Sequence, residues 1–172
     1  SIVALLVVLG FVGTSQAADY QSGWYVSDSG VQQDLNCAET IGEQIWAFGE
    51  DGVMLVSNDF GNTWESSSSV TSADIHHCDS AFGALAVAGE SGTVLVMQEI
   101  GGEWSEVSLS ESVNGISLTS NSSMIAVGDA GAMWRFDGST WTEVQTGVDE
   151  DLLAVSFLDG DLGVAVGTNG TI

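Results

Sequence analysis

The chain has 172 residues, 44% of them hydrophobic, which is enough to bury the core of one domain. It carries 24 acidic residues against one Arg, with no Lys, and its formal net charge is −23. Binding to a nucleic-acid backbone or an anionic membrane surface needs clustered cations, and a Walker-type phosphate loop needs a Lys. The composition therefore excludes these three classes of ligand.

The N-terminal residues 1–17 begin with an apolar run over residues 2–12 and end near the small residues Ser15 and Ala17. Such a run is typical of the apolar region of a signal peptide and is too short to span a bilayer comfortably. A positively charged start and an initiating Met are missing. We therefore predict a truncated signal peptide, and hence a secreted, periplasmic or cell-surface protein. A membrane anchor is the alternative.

The rest of the chain repeats with a period near forty residues. A Gly-x-x-Gly motif begins at Gly49, Gly89, Gly128 and Gly167, with spacings of 40, 39 and 39 residues. Tryptophans recur with it, at positions 24, 64, 104 and 141, and we expect the last three to be largely buried at equivalent places. A fixed period of this length indicates a repeat architecture.

Each repeat is predicted to contain four short strands, shown best by the second repeat. Its strands are predicted over residues 75–78, 84–89, 93–97 and 103–107, and the glycines of the turn at 89–92 tolerate a positive φ. No window after residue 20 has a sustained helical period. The pattern predicts an all-β fold, a β-propeller with four-stranded antiparallel blades.

The predicted propeller occupies residues 18–172. Complete blades are predicted near 34–67, 74–107 and 114–144, with a partial blade at 151–172 and a strand at 22–27 that closes the ring. About four repeats are visible, whereas propellers have four to eight blades. We expect the chain to be a fragment of a six- to eight-bladed ring.

One segment carries a known motif. The sequence SNDFGNTW fits the Asp box, or BNR repeat, S-x-D-x-G-x-T-W at every defined position: Ser57, Asp59, Gly61, Thr63 and Trp64. The segment DLLAVSFLDGDLGVAVGTNGTI, residues 151–172, is similar to the repeats of propellers of the photosystem II stability/assembly-factor type. The resemblance covers about residues 22–172 and implies a propeller fold.

The Asp box is interpreted as structural. Asp59 is expected to accept hydrogen bonds from nearby backbone N–H groups, Gly61 to supply an unusual backbone angle, and Trp64 to pack between blades. Direct contact of these residues with a ligand is the alternative.

The two cysteines, Cys37 and Cys78, lie in the first strands of successive repeats. In an exported protein they are expected to form a disulfide if their Cα atoms lie within about 7 Å, or else to be two buried thiols. His76 and His77 precede Cys78, but no second ligand pair has metal-like spacing. We predict no metal site and no cofactor.

No catalytic site is predicted. A sialidase, the enzyme class associated with the Asp box, needs an arginine triad and a Tyr nucleophile, whereas this chain has only Arg135 and its two tyrosines precede the first complete blade. A serine-hydrolase motif is also missing. The sequence thus favours a non-enzymatic protein, and a glycoside hydrolase is the less favoured alternative.

The resemblance implies an interaction propeller. Assembly factors of this type bind a reaction-centre subunit through a basic patch, which Arg135 alone cannot reproduce. We therefore predict an exported, non-catalytic propeller that acts as a binding or assembly scaffold for a protein or cell-surface partner. The alternative is a glycan-binding or sialidase-like Asp-box propeller whose active residues lie in missing blades.

Overall fold

A computed structural model describes residues 5–6, 25–120, 122–158 and 161–172. Its regular structure is β: three four-stranded antiparallel sheets and two two-stranded sheets. The predicted all-β propeller of four-stranded antiparallel blades is confirmed. The helical segments in the described ranges are single 3-10 turns of three residues, so the expectation of no long helix after residue 20 holds there.

The strands follow one another as simple meanders, in which each strand pairs with the next. The N-terminal pair is β1 (Leu5–Leu6) and β2 (Tyr25–Val26). Blade 1 contains β3 (Leu35–Ile41), β4 (Gln44–Gly49), β5 (Met54–Ser57) and β6 (Glu65–Ser66). Blade 2 contains β7 (Ile75–Ala81), β8 (Ala84–Gly89), β9 (Thr93–Met97) and β10 (Ser105–Ser108).

The C-terminal half continues the series. Blade 3 contains β11 (Val113–Ser120), β12 (Ser123–Gly128), β13 (Met133–Phe136) and β14 (Trp141–Glu143). Blade 4 contains β15 (Leu152–Phe157) and β16 (Gly163–Gly167). The first strands β3, β7, β11 and β15 lie side by side around the inside of the arc.

The Gly-x-x-Gly motif encloses the turn between the second and third strands. In blade 2, Gly89 is extended, and a Cβ on it would collide with the backbone carbonyl of Asp74, just before β7. Gly92 has a φ of +73°, in the left-handed region that favours glycine. The first glycine therefore allows close approach of two chain segments, and the second allows the turn.

The core lies between blades. Side chains of β4 and β5 pack on β7, β8 and β9, and those of β8 and β9 pack on β11, β12 and β13. A third cluster joins β12 to β15. Alternation along each middle strand sends one set of side chains toward the following blade and the other toward the preceding blade. Every residue of β8 is buried, whereas the fourth strand β10 is fully exposed.

The three tryptophans at the fourth strands occupy equivalent places, as the spacing predicts. Trp64 and Trp104 immediately precede β6 and β10, and Trp141 begins β14. All three side chains are half-buried, which corrects the expectation that they are largely buried. The reason is their position at the edge of each blade, where one side of the ring meets solvent.

The N-terminal predictions fall mostly outside the described residues. Within the predicted closing strand 22–27, the structure describes β2, which pairs with β1 in an antiparallel register. Of the predicted signal peptide 1–17, only residues 5–6 are described. In the described ranges, no helix combines the length and apolarity needed to cross a membrane.

Candidate functional site

The Asp-box loop in blade 1 is held by its own side chains. Asp59 accepts a hydrogen bond from the Thr63 N–H at 2.8 Å and another from the Thr63 hydroxyl at 2.7 Å. The Ser57 hydroxyl donates to the same carboxylate at 2.9 Å. These bonds, the Thr63 N–H first, lower the pKa of Asp59 below its ordinary value. The Asp59 carboxylate therefore stabilises the conformation of the loop.

Gly61 and Trp64 connect this loop to the segment before blade 1. Gly61 has a φ of +82°, and its N–H donates to the Ser57 hydroxyl at 2.7 Å. The indole N–H of Trp64 donates to the Ser27 hydroxyl at 3.1 Å, which in turn donates to the Gly61 carbonyl at 2.7 Å. The structure thus brings all five Asp-box residues together in one network.

The equivalent loops of blades 2 and 3 differ in how many of these hydrogen bonds they have. In blade 3, Asp137 accepts from the N–H groups of Thr140 and Ser139, both at 2.9 Å, and from the Ser139 hydroxyl at 2.8 Å. These bonds, that from the Thr140 N–H first, lower the pKa of Asp137 to about 2. In blade 2, the turn is closed through the backbone carbonyl of Glu99 instead.

Cys37 and Cys78 form a disulfide between the first strands of blades 1 and 2, with their Cα atoms 5.9 Å apart. This distance lies within the range that disulfide geometry accepts. The bond sits beside the apolar cluster between the two blades, where Cys78 is buried. It cross-links neighbouring blades at the inner side of the arc.

The two histidines do not join the cysteines in a metal site. Among the described residues, no three His, Cys, Asp or Glu side chains are arranged to hold a metal ion. The Nδ1 atom of His77 instead accepts a hydrogen bond from the backbone N–H of Ile116 in blade 3, at 3.4 Å. Burial lowers the pKa of His77, which favours the neutral ring that this contact requires.

Polar residues on the first strands link successive blades, a role that the sequence analysis missed. Asp79 accepts from the Leu118 N–H at 2.7 Å, and Asn114 donates to the Leu152 carbonyl at 3.1 Å. The sequence contains one indication of this role: these strands carry polar residues, whereas a buried inner strand is expected to be apolar. Each polar group satisfies a backbone group on the neighbouring blade.

Among the acidic residues of the described first strands, Glu39 has the surroundings least favourable to a charged side chain. It accepts a hydrogen bond from the Ser80 hydroxyl at 2.6 Å. Burial raises the pKa of Glu39, and the nearby charge of Asp79 raises it further, although the bond from Ser80 opposes both. Glu39 and Asp79 therefore both accept hydrogen bonds across blade contacts, but the charged form of Glu39 is disfavoured there.

The connections between strands fall at two ends of the blades. The hairpin end carries the turns between first and second strands and the loops between third and fourth strands. In blade 1 these meet where the Gln44 amide donates to the Asn58 side chain at 2.9 Å. The turn end carries the 3-10 turns and the segments that connect successive blades. In blade 1, the turn meets the segment before β3, where the Glu50 N–H donates to the Asp34 carbonyl at 3.0 Å.

An open cleft of about 480 Å³ lies at the turn end of blade 3. Its lining includes Ser110, the turn residues 130–132, and the loop 143–149. Three carboxylates line it: Glu111, Glu143 and Asp149. All three side chains are exposed, so the cleft offers negative charge to a ligand that retains contact with water. Carboxylates in this setting pair with Lys and Arg side chains.

The sequence matches no protein-family model and shows no significant similarity to a curated protein. Solved structures do resemble it. YCF48, solved bound to a D1 peptide, aligns with a TM-score of 0.65 and 19% identity over 79% of this chain and 47% of that chain. The WD40 repeats of RRP9 align with a TM-score of 0.63 and 16% identity over 77% of this chain and 46% of that one.

A third similar structure has about the same length as this chain. The computationally designed Ika4 protein aligns with a TM-score of 0.72 and 16% identity over 87% of this chain and 95% of that chain. This chain spans about half the length of the YCF48 and RRP9 chains, 47% and 46%. At these identities the likeness shows the fold, and the fold is a β-propeller.

Proposed function

We propose that this protein is an exported, non-catalytic propeller that binds a protein partner, and that the cleft in blade 3 receives a segment rich in Lys or Arg. The observation that carries the proposal is the cleft itself, lined by Glu111, Glu143 and Asp149 on a chain with a net charge of −23. Loops on a rigid scaffold are the usual location of binding residues.

The charge distribution favours a cationic partner. Arg135 is the one strong base of the sequence, and its guanidinium lies 3.9 Å from the carboxylate of Asp161. A surface with one sign of charge attracts the opposite sign over several ångströms and increases association rates. YCF48 was solved with a peptide bound, which supports a peptide-like ligand for a propeller of this kind.

Export and the structural role of the Asp box are part of the same proposal. The disulfide between Cys37 and Cys78 suits an oxidising compartment, as does the signal-peptide pattern of residues 1–17. The Asp-box assignment is supported by the bonds between Asp59 and Thr63, which leave that carboxylate occupied within its own loop.

The cleft can be tested with a fluorescent peptide of alternating lysine and serine. Glu111→Gln, Glu143→Gln and Asp149→Asn, combined, remove three charges from the cleft without changing side-chain size. We expect the dissociation constant measured by fluorescence anisotropy to rise about tenfold, equivalent to about 1.4 kcal/mol. The binding should also weaken as salt is added.

The matched control removes three exposed charges outside the cleft, in blades 1 and 2: Asp51→Asn, Glu65→Gln and Glu106→Gln. We expect it to change the affinity for the same peptide by less than about twofold, because distant exposed charges are screened. Equal losses in the two triple variants would show that the peptide responds to net charge alone, and the cleft proposal would then be abandoned.

A further inference from the structure

The hairpin between β7 and β8 has an unusual residue at its tip. Phe82 has a φ of +55° and is followed by Gly83 with a φ of +84°, between the paired residues Ala81 and Ala84. Two-residue turns with positive φ at both positions favour Asn-Gly or Gly-Gly. The Phe82 side chain is 71% exposed. It is therefore unfavourable both for the turn and for contact with water.

Two more large apolar side chains are exposed at the same end of blades 1 and 2. Phe60, in the Asp-box loop, has a φ of +60° and is 54% exposed. Ile100, in the equivalent loop of blade 2, is 45% exposed. Ile100 lies over the blade 1 hairpin, since a Cβ added to Gly42 would meet its Cδ1 atom at 2.9 Å. Ile100 of blade 2 therefore lies next to the hairpin of blade 1.

Single exposed apolar residues are common on protein surfaces, but these three share features that single residues do not. All lie at the hairpin end of adjacent blades, and two of them are phenylalanines in the left-handed region. Residues in rare backbone conformations are concentrated at functional sites. Aromatic side chains surrounded by charged residues are typical of protein interfaces.

The charges around these side chains indicate the chemistry of the partner. The hairpin end of blades 1 and 2 carries Glu43, Asp59, Glu99 and Glu103. The one strong base, Arg135, lies in blade 3. A second copy of this chain would bring like charges together at such a surface, which disfavours self-association there. A partner with Lys or Arg around an apolar surface satisfies both requirements.

We propose that Phe60, Phe82 and Ile100 form a second binding surface, which takes a protein segment containing both apolar and basic side chains. The proposal rests on the proposed protein-binding function but uses the end of the blades opposite the acidic cleft. The apolar side chains supply contact area that is lost from water on binding, and the surrounding carboxylates select a cationic segment.

The decisive variant is Phe82→Asn, because Asn is favoured at this position of the turn. If Phe82 serves binding, the variant unfolds at the same or a higher temperature than the parent but binds less well. Ile100→Ser is the second variant. Leu153→Ser is the matched control, since Leu153 is 50% exposed on β15 of blade 4.

The probe is a fluorescein-labelled peptide of alternating leucine and lysine, compared with the lysine–serine peptide. Phe82→Asn and Ile100→Ser should each weaken binding of the leucine–lysine peptide by about fivefold or more, as truncation of an interface anchor does. The lysine–serine peptide and the Leu153→Ser variant should show less than about a twofold change. Phe82→Asn should weaken leucine–lysine binding by about the same factor in the triple cleft variant as in the parent, so failure of either surface is seen separately.

Two results would overturn the proposal. In the first, Phe82→Asn lowers the melting temperature and leaves leucine–lysine binding intact, which makes Phe82 a structural residue. In the second, the protein binds neither peptide but binds phosphatidylcholine vesicles, and Phe82→Asn weakens that binding, which makes the surface a lipid-binding one.

Discussion

The carboxylate of Asp74 accepts a hydrogen bond from the backbone N–H of Asp51, at 2.8 Å, and so connects the start of blade 2 to the turn of blade 1. Asp151 does the same for the Ala130 N–H at 2.9 Å. For the turn of blade 2, the acceptor is the hydroxyl of Ser112, directly before blade 3, and the donor is the Ser91 N–H at 3.3 Å. Blades 2, 3 and 4 thus each satisfy a turn N–H of the blade before them.

We expect Asp74→Ala to lower the free energy of unfolding by about 1–2 kcal/mol, because it removes a hydrogen bond to a charged acceptor from the blade interface. Urea denaturation monitored by tryptophan fluorescence measures this loss. Glu106→Ala, on the exposed outer strand β10, is the control and should change stability by less than about 0.5 kcal/mol. A loss for Asp74→Ala no larger than that of the control would contradict the proposed connection.

Trp104 packs edge-on against two aromatic rings of blade 1. Its ring centroid lies 5.8 Å from that of Trp46 and 6.0 Å from that of Phe48, at interplanar angles of 80° and 87°. We expect Trp104→Ala to destabilise the protein by about 3 kcal/mol, the lower end of the range for large aromatic truncations, because the side chain is half-buried. Chemical denaturation tests this, and a loss below about 1 kcal/mol would show a peripheral side chain.

The strands next to the repeated turn could be predicted from sequence alone. The predicted strands 84–89 and 93–97 coincide with β8 and β9. Both are defined by local chemistry: short apolar runs of small or β-branched residues on either side of glycines that only one turn geometry accommodates. The outer strand was placed less well, at 103–107 against the observed Ser105–Ser108, because exposed residues carry a weaker pattern.

The contacts between blades could not be predicted in the same way, and the disulfide shows why. Cys37 pairs across the sheet with Phe48, whereas Cys78 pairs with Val87, one position further along its blade. The one-residue offset turns Cys37 toward blade 2 and Cys78 toward blade 1, since alternate residues face opposite sides of a sheet. The cysteines are 41 residues apart, one more than the spacing of 40 between Gly49 and Gly89, but the direction in which each side chain points is seen only in the strand register.

The turn at Phe82 was missed for a related reason. The sequence prediction ended the first strand at residue 78, but β7 continues to Ala81 and turns at Phe82 and Gly83. A phenylalanine is not a turn signal, and only the structure shows that it occupies a position suited to Asn. The candidate apolar surface could therefore not be seen from sequence patterns.

Acid should weaken the loops held by Asp59 and Asp137. The pKa of Asp137 is lowered to about 2 and that of Asp59 is lowered below 3.8 by the hydrogen bonds they accept. A lowered pKa in the folded state contributes stability that is complete above the unfolded value of 3.8 and is lost as pH falls toward about 2.

The test is the pH dependence of unfolding measured for the parent and for Asp137→Asn. We expect the variant to have a shallower loss of stability between about pH 4 and pH 2, because it no longer titrates at this position. Glu106→Gln, on the exposed strand β10, should retain the slope of the parent. Parallel curves for Asp137→Asn and the parent would show that the loop does not contribute to acid sensitivity.

The charge of Glu39 should lower the stability of the folded protein, whereas the charges of Asp59 and Asp137 raise it. Its pKa is raised above 4.5 by burial and by the charge of Asp79, so its ionised form is unfavourable in the folded state. We expect Glu39→Gln to increase stability at pH 7, because glutamine keeps an acceptor for Ser80 without the charge. The gain should shrink as pH falls through the raised pKa of the folded state toward 4.5, and vanish below it, where the glutamate is protonated in both states. A destabilised variant at pH 7 would indicate that the charge is needed for the contact.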